Sequence, residues 1–260
     1  MKNTLYESSL TDEQWAYLAN MLPPAAKRGR PPTHRRWILD ALFYVVKCGV
    51  PWRYLPANFP PWKTVFHVFR QWTRHGWWTA LNDALRTLVR QTHAKRSRPT
   101  AAILDSQSVK SAGHGGEVGF DAGKRIKGRK RHLLVDTLGL VLGVAVSPAS
   151  TPEREGGQMV LGRVLPGLTW LRCLWVDGGY TGEAFANWVK ALRPNLKVEV
   201  VKHSDDTSGF TVLPRRWVVE RTFGWLMRYR RLVRDYEITE TSAEAWVLIA
   251  MIRIQLRRLA

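Results

Sequence analysis

The chain has 260 residues, 45 % of them hydrophobic, which excludes wholesale disorder and allows a proper core in one large domain or two modest ones. Forty Lys and Arg stand against 21 Asp and Glu, a formal charge of +19, so the expected partner is a phosphate backbone or an anionic membrane. The membrane is the weaker option: no apolar stretch reaches the roughly 18 residues of a span, and the run from Ala245 to Ile252 soon meets Arg253. The N-terminus has no apolar signal-peptide core, and Cys48 and Cys173, far apart and outside any CxxC, argue against a disulfide framework or a zinc site. A cytoplasmic protein facing nucleic acid is the expectation.

Residues 1 to about 92 carry helical signals only. Thr11-Asp12-Glu13-Gln14 resembles a helix start, and Trp15, Leu18, Met21 and Leu22 continue the stripe until Pro23-Pro24. Arg35 to Cys48 repeats the pattern and is closed by Gly49. A third helix is predicted from about Trp62 to His75, with Val65, Phe66, Phe69 and Trp72 turned inward and Lys63, His67, Arg70, Gln71 and Arg74 outward. A fourth runs from Trp78 to Gln91. Several short helices with a basic third one suit a helix-turn-helix type of DNA-binding domain, in which Lys63, Arg70 and Gln71 would meet DNA. Of the thirteen Trp, most are expected in the core, while Trp62, Trp72, Trp77 and Trp78 could lie against sugar or base faces.

After the basic linker 93–99 the periodicity changes. Strands are predicted at 101–109, 131–135 and 140–146, the last two joined by Asp136-Thr137-Leu138-Gly139 as a hairpin; that turn accounts for Asp136. A helix from about Gly156 to Val164, a strand at 174–176, a helix from Glu183 to Leu192 and a strand from Lys197 to Val201 follow. Helices from about Pro214 to Asp235 and from Ala243 to Leu259 end the chain. The sum is an α/β fold from 96 to 260, a mixed sheet flanked by helices, preceded by an all-α domain on 1–95.

Three acidic residues stand out. Asp105 ends the apolar run 101–104, Asp177 ends 174–176 before Gly178-Gly179, and Glu220 lies in an amphipathic helix. Taken singly, an Asp after a strand is a turn former or cap, and Glu220 could simply pair with Arg216 or Arg221. Taken together, two carboxylates on strand ends and a third on a helix packed across them would converge at one edge of the sheet. Clustered carboxylates repel unless a cation neutralises them, so the arrangement suits hard divalent ions. Two Mg2+ ions about 3.5–4 Å apart could clamp an in-line displacement at a phosphodiester.

The cations fit that chemistry. Residues 124–131 hold six cationic side chains in eight positions, including Lys127, Arg129, Lys130 and Arg131. Residues 214–236 hold seven Arg, among them Arg216, Arg221, Arg228 and Arg231, which a continuous helix would bring near Glu220. A charge run is ordinarily a solvated face, but with so little acidic counterweight phosphate contact is the expectation. Lys27-Arg28-Gly29-Arg30-Pro31-Pro32 reads as a basic arm or a plain loop.

Several blocks, in this order, resemble bacterial insertion-sequence transposases of the DDE superfamily, IS-five type. They are Leu10 to Trp15, Gly49 to Arg53 and Leu55-Pro56; then Leu104 to Lys110, Lys127 to His132, Val176 to Tyr180 and Trp217 to Trp225. The resemblance implies an RNase H-like catalytic fold, Asp105, Asp177 and Glu220 as the metal-binding triad, and two Mg2+ ions, with Mn2+ able to substitute. It implies double-stranded DNA as substrate, both the element's terminal inverted repeats and target DNA. A homodimer or higher complex on DNA and a nucleoid-associated location are implied with it. Of the Tyr-x-x-Arg-x-x-x-Glu-x-x-x-x-x-x-Lys signature the chain keeps Arg216 and Glu220, with Leu213 and Met227 at the outer positions and Arg228 adjacent. The resulting expectation is a transposase; a DNA-binding regulator without activity and a non-joining nuclease of the same fold are its rivals.

Overall fold

A computed structural model describes residues 6–23, 32–112, 116–201 and 214–260, with 214–216 described by their backbone alone. The basic segment 27–31 and Asp205-Asp206 lie outside these residues. Four helices open the described chain: α1 (Asp12–Ala19), α2 (Arg35–Cys48), α3 (Trp62–Arg74) and α4 (Trp77–Thr92). Thr11 and Gln14 cap α1 reciprocally, Gln14 N–H donating to the Thr11 hydroxyl and Thr11 N–H to the Gln14 side chain. α2 ends at Gly49, whose φ of 72° is the left-handed cap expected there.

The sheet contains β1 (Ala101–Lys110), β2 (Gly119–Asp121), β3 (Ile126–Asp136), β4 (Val141–Pro148), β5 (Cys173–Val176) and β6 (Lys197–Val200). β1, β3 and β4 form an antiparallel meander, with the short β2 also on β3, while β5 and β6 extend the other side of β1 in parallel. The parallel strands need crossovers, which α5 (Glu153–Val164) and α6 (Glu183–Leu192) supply. Val160, Leu161, Phe185 and Val189 of these helices pack with Ala102, Leu104, Leu174 and Val176 on one face. The other face carries Ile103, Leu133, Val135 and Val144 and is covered by α7 (Pro214–Leu226), the short α8 (Arg230–Val233) and α9 (Glu240–Leu259). The expected mixed sheet flanked by helices is therefore present.

Three expectations are corrected. The second long strand begins at Ile126, five residues early, and absorbs the basic run into a central position between β1 and its other neighbours. The single helix expected over 214–235 breaks after Leu226, because Tyr229 adopts an extended backbone and α8 turns to pack on α2. There Arg230 lies so close to Gly49 that a methyl at that position would meet it at 3.1 Å. Finally, the helical region shares one core with the sheet. α9 packs on α1, α2, α3, α4 and β4, and the Trp246 ring stacks on Phe69 at 4.7 Å. α4 grips the β3–β4 hairpin: Arg90 pairs with Asp136 at 2.6 Å, and the Asn82 amide donates to the Val141 carbonyl at 2.9 Å. Asp136 is thus more than a turn residue. Its Oδ1 accepts from the N–H groups of Leu138 and Leu140, and its other oxygen holds a buried arginine.

Candidate active site

The edge of the sheet is set by the register of β1 on β5. Ala101 pairs with Cys173, Ala102 with Leu174 and Ile103 with Trp175, a constant offset of 72 residues. The same offset places Asp177, one residue beyond β5, opposite Asp105. Neighbouring strands lie about 4.8 Å apart, and Asp105 and Asp177 both act on the Tyr180 hydroxyl, so both lie near this edge. Side chains alternate across a sheet. Ile103 and Trp175 pack on the face that holds Val219 and Phe223 of α7, so Asp105 and Asp177, two positions further along, share that face. Each carboxylate is steadied locally: Asp105 accepts from Ser106 N–H at 2.7 Å and Asp177 from Gly179 N–H at 2.9 Å.

Glu220 is exposed on α7, which packs against both β1 and β5. The element bearing the third acid therefore crosses the two strands bearing the first pair. Among the described residues, however, no three His, Cys, Asp or Glu side chains converge on one metal position. The donor chemistry is nonetheless that of a hard cation, since the acidic residues here offer oxygen alone.

A fourth carboxylate joins this edge from the opposite face. Glu153, the first residue of α5, accepts from the Ser106 hydroxyl at 3.0 Å and lies 3.5 Å from Lys124 Nζ. Gly179 makes room for it: a Cβ there would sit 1.8 Å from the Glu153 carboxylate and 3.2 Å from that of Asp177. Nothing in Pro152-Glu153-Arg154-Glu155 distinguishes this Glu from an ordinary acidic first turn. The paired glycines after Asp177 were the one signal that something approaches closely. Beneath lies Tyr180, 1 % exposed, whose hydroxyl is pushed well above its ordinary pKa by burial and then by Asp105, Glu153 and Asp177. At neutral pH the hydroxyl therefore keeps its proton.

The residues expected on DNA differ in exposure. Lys63, Arg70 and Gln71 are exposed along α3 beside His67 and Arg74, while Val65, Val68, Phe69 and Trp72 are buried behind them. Lys127 and Arg228 are also exposed. Arg129, Lys130, Arg131 and Arg231 are not: each is buried and spends its charge inside the protein. Arg129 pairs with Asp235 at 3.0 Å and donates to the Glu117, Glu237 and Ile238 carbonyls. Arg131 donates to the Leu232 carbonyl at 2.7 Å, burial lowering its pKa to about 10. Lys130 reaches the Thr151 carbonyl, and Arg231 pairs with Glu237 at 2.6 Å and stacks on Trp246. Their burial leaves these four no free surface for a phosphate. Arg221 is held between Trp217 and Trp225, 4.8 and 4.7 Å from their centroids, and the Arg216 side chain lies outside the described residues. Trp72 and Trp78 are core residues, which removes them from any base contact.

Residues 96–254 match the family described as "Transposase DDE domain", and residues 10–82 match "Putative transposase of IS4/5 family". Among individual proteins, the chain is 31 % identical over 117 residues to the "Insertion element IS402 uncharacterized 16.2 kDa protein" of Burkholderia cepacia, covering 42 % of this chain and 78 % of that one. It is 28 % identical over 106 residues to "Uncharacterized protein y4sN" of Sinorhizobium fredii (strain NBRC 101917 / NGR234), covering 40 % and 78 %. No solved structure matches at a significant level.

Proposed function

The chain belongs to the DDE transposase family, whose catalytic domain is RNase H-like, and from that premise we propose that it cuts DNA at the ends of an insertion element and joins the freed 3′-hydroxyls to target DNA. The observation that supports this reading is the β1–β5 offset of 72 residues, equal to the separation of Asp105 on β1 and Asp177 just beyond β5, with the helix of Glu220 packed against both strands. Family members act on DNA with divalent ions, and Asp105, Asp177 and Glu220 are the residues that would hold them here. Bound there, Mg2+ or Mn2+ supplies Lewis-acid stabilisation of the charge developing on the scissile phosphate. The chain's own residues do the rest. The backbone N–H groups of Ser106 and Gly179 orient the two aspartates. Tyr180 holds its proton under them, and Lys124 offsets the charge of Glu153. The polar face of α3 reads the element ends, with Arg70 and Gln71 in reach of base edges. Binding two ends at once makes a dimer or higher complex the working form. Among the described residues no helix is long and apolar enough to cross a membrane.

The test is to incubate the protein with its flanking DNA ends and Mg2+ and to resolve nicked from joined products. Asp105→Ala, Asp177→Ala and Glu220→Ala should each abolish both products while duplex binding persists. Cutting at wild-type rates by any of the three removes that residue from the site, and nicks without joined products make the protein a nuclease instead.

A further inference from the structure

A second concave site lies away from the acidic edge. The end of α2, the turn between α7 and α8, and the last turns of α9 enclose a cavity of about 270 Å3 open to solvent on one side. Its floor is Phe43, Trp225 and Tyr229; its walls carry Lys47, Arg228, Arg257 and Arg258, with Glu7 as the lone acidic lining residue. Arg253 also borders it but is buried and committed inward, to the Gln14 side chain and the Glu7 and Ser9 carbonyls.

The four outer cations are poorly neutralised. Arg228 is exposed, and its guanidinium has no partner among the described residues. Arg257, half-exposed, reaches Glu7 at 3.4 Å, a pairing that solvent screens. Lys47 donates to the Arg228 carbonyl, and Arg258 to the Leu138 carbonyl at 3.5 Å, so neither meets a carboxylate. Arg258 also lies over Trp225 at 4.4 Å, on the indole that Arg221 approaches at 4.7 Å. Its pKa is lowered by burial first and then by the charge of Arg221. Four cations around an aromatic floor repel one another, and an anion between them would relieve that repulsion.

We propose that this cavity is a DNA-backbone site, holding a phosphodiester group of the bound strand on Lys47, Arg228, Arg257 and Arg258. This inference rests on the transposase reading. Two observations favour a DNA strand over a small free anion. The cavity is partly open to solvent, so a polymer can lie across its mouth. Trp217, Arg221 and Trp225 of α7 also form an alternating column that Arg258 of α9 extends, linking the region of Glu220 to the cavity. Residues from both ends of the chain build the site, so backbone binding would not be confined to the N-terminal helices.

The test measures binding of a fluorescently labelled duplex of about 30 base pairs and arbitrary sequence between about 50 and 200 mM salt, where phosphate contacts dominate. Arg228→Ala/Arg257→Ala should melt with the wild type, bind about tenfold or more weakly, and lower the slope of log K against log salt by about 2. Lys190→Ala, an exposed cation on α6, should leave the slope unchanged. If the double variant does not fold, Arg228→Ala alone decides, with a slope change of about 1. A folded variant with wild-type affinity and slope overturns the site. Loss of tripolyphosphate binding without loss of DNA binding also overturns it, in favour of a small anion. If the wild type binds no duplex at all, the transposase reading falls with it; a changed slope without strand joining would leave the site standing and that reading alone in question.

Discussion

Arg129→Met separates the two meanings of the basic run at 124–131. The guanidinium is 1 % exposed and its partner Asp235 3 %, at 3.0 Å, and three backbone carbonyls from 117 and 237–238 share its other N–H groups. Met keeps much of the volume but leaves a buried carboxylate without its cation and three carbonyls without a donor. Breaking one side of such a pair costs about 3–5 kcal/mol. For a chain of 260 residues each kcal/mol corresponds to about 2 °C, so the melting temperature should fall by roughly 6–10 °C. Thermal unfolding by circular dichroism measures it, and duplex binding by the folded protein should keep its salt dependence. Adding Asp235→Asn should recover part of the loss, because the stranded charge is then gone. A variant that melts with the wild type but binds DNA with a shallower salt slope would refute this reasoning and return Arg129 to the DNA surface.

Asp136→Asn should cost about 3 kcal/mol by stranding Arg90, measured by urea unfolding; a variant as stable as wild type reduces Asp136 to a turn residue. Gly179→Ala should slow DNA cutting at least about tenfold, because its methyl would displace the Glu153 carboxylate; unchanged cutting would show that Glu153 can move at no cost. His132 is buried, and its pKa is lowered to about 3 by burial, then by Lys130 and Lys124. The unfolded chain therefore binds the extra proton between about pH 6.5 and 3, so stability falls as pH drops through that window. Between pH 6.5 and 5 the wild type should lose about 1.6 kcal/mol more than His132→Gln, and equal losses would exclude this cause. Arg70→Ala and Gln71→Ala should each reduce the preference for cognate ends over random DNA, by about 1–3 kcal/mol if they reach bases; a uniform loss on both would make them backbone contacts.

The acidic pair was legible because it depends on local pattern. An apolar run ending in Asp, twice, marks two strands, with Asp105 midway along β1 and Asp177 just past β5, and their separation of 72 residues equals the β1–β5 register offset. The four N-terminal helices were legible for the same reason, each carrying its own stripe and stop. Charge misled where tertiary context overrides it. Arg129 and Arg131 look like surface residues until their partners, Asp235, Glu237 and the Leu232 carbonyl, arrive from about a hundred positions downstream. Gly224 stands two residues before the break after Leu226, but a lone Gly inside a helical pattern does not by itself end a helix; α8 turns where Arg231 finds Glu237 and Trp246. Glu153 was missed because its role comes from Ser106 and Gly179 on two other elements. The boundary near 95 marks where strands replace helices, but a fragment ending there would uncover Phe69 and Val89, which belong to the common core.

That common core makes the molecule a caliper. A reading helix tethered by a pliant linker could recognise one sequence and deliver many phosphodiesters to the sheet edge. Here α3 is clamped through Phe69 to Trp246 of α9, α9 packs on β4, and α4 is bolted to the β3–β4 hairpin through Arg90 and Asp136. The span between the outward face of α3 and Asp105 is therefore a fixed length of protein, and under the proposed function it would correspond to a fixed number of base pairs. In such a device the point of cutting is chosen by arithmetic along the duplex, and the bond itself need carry no sequence signal.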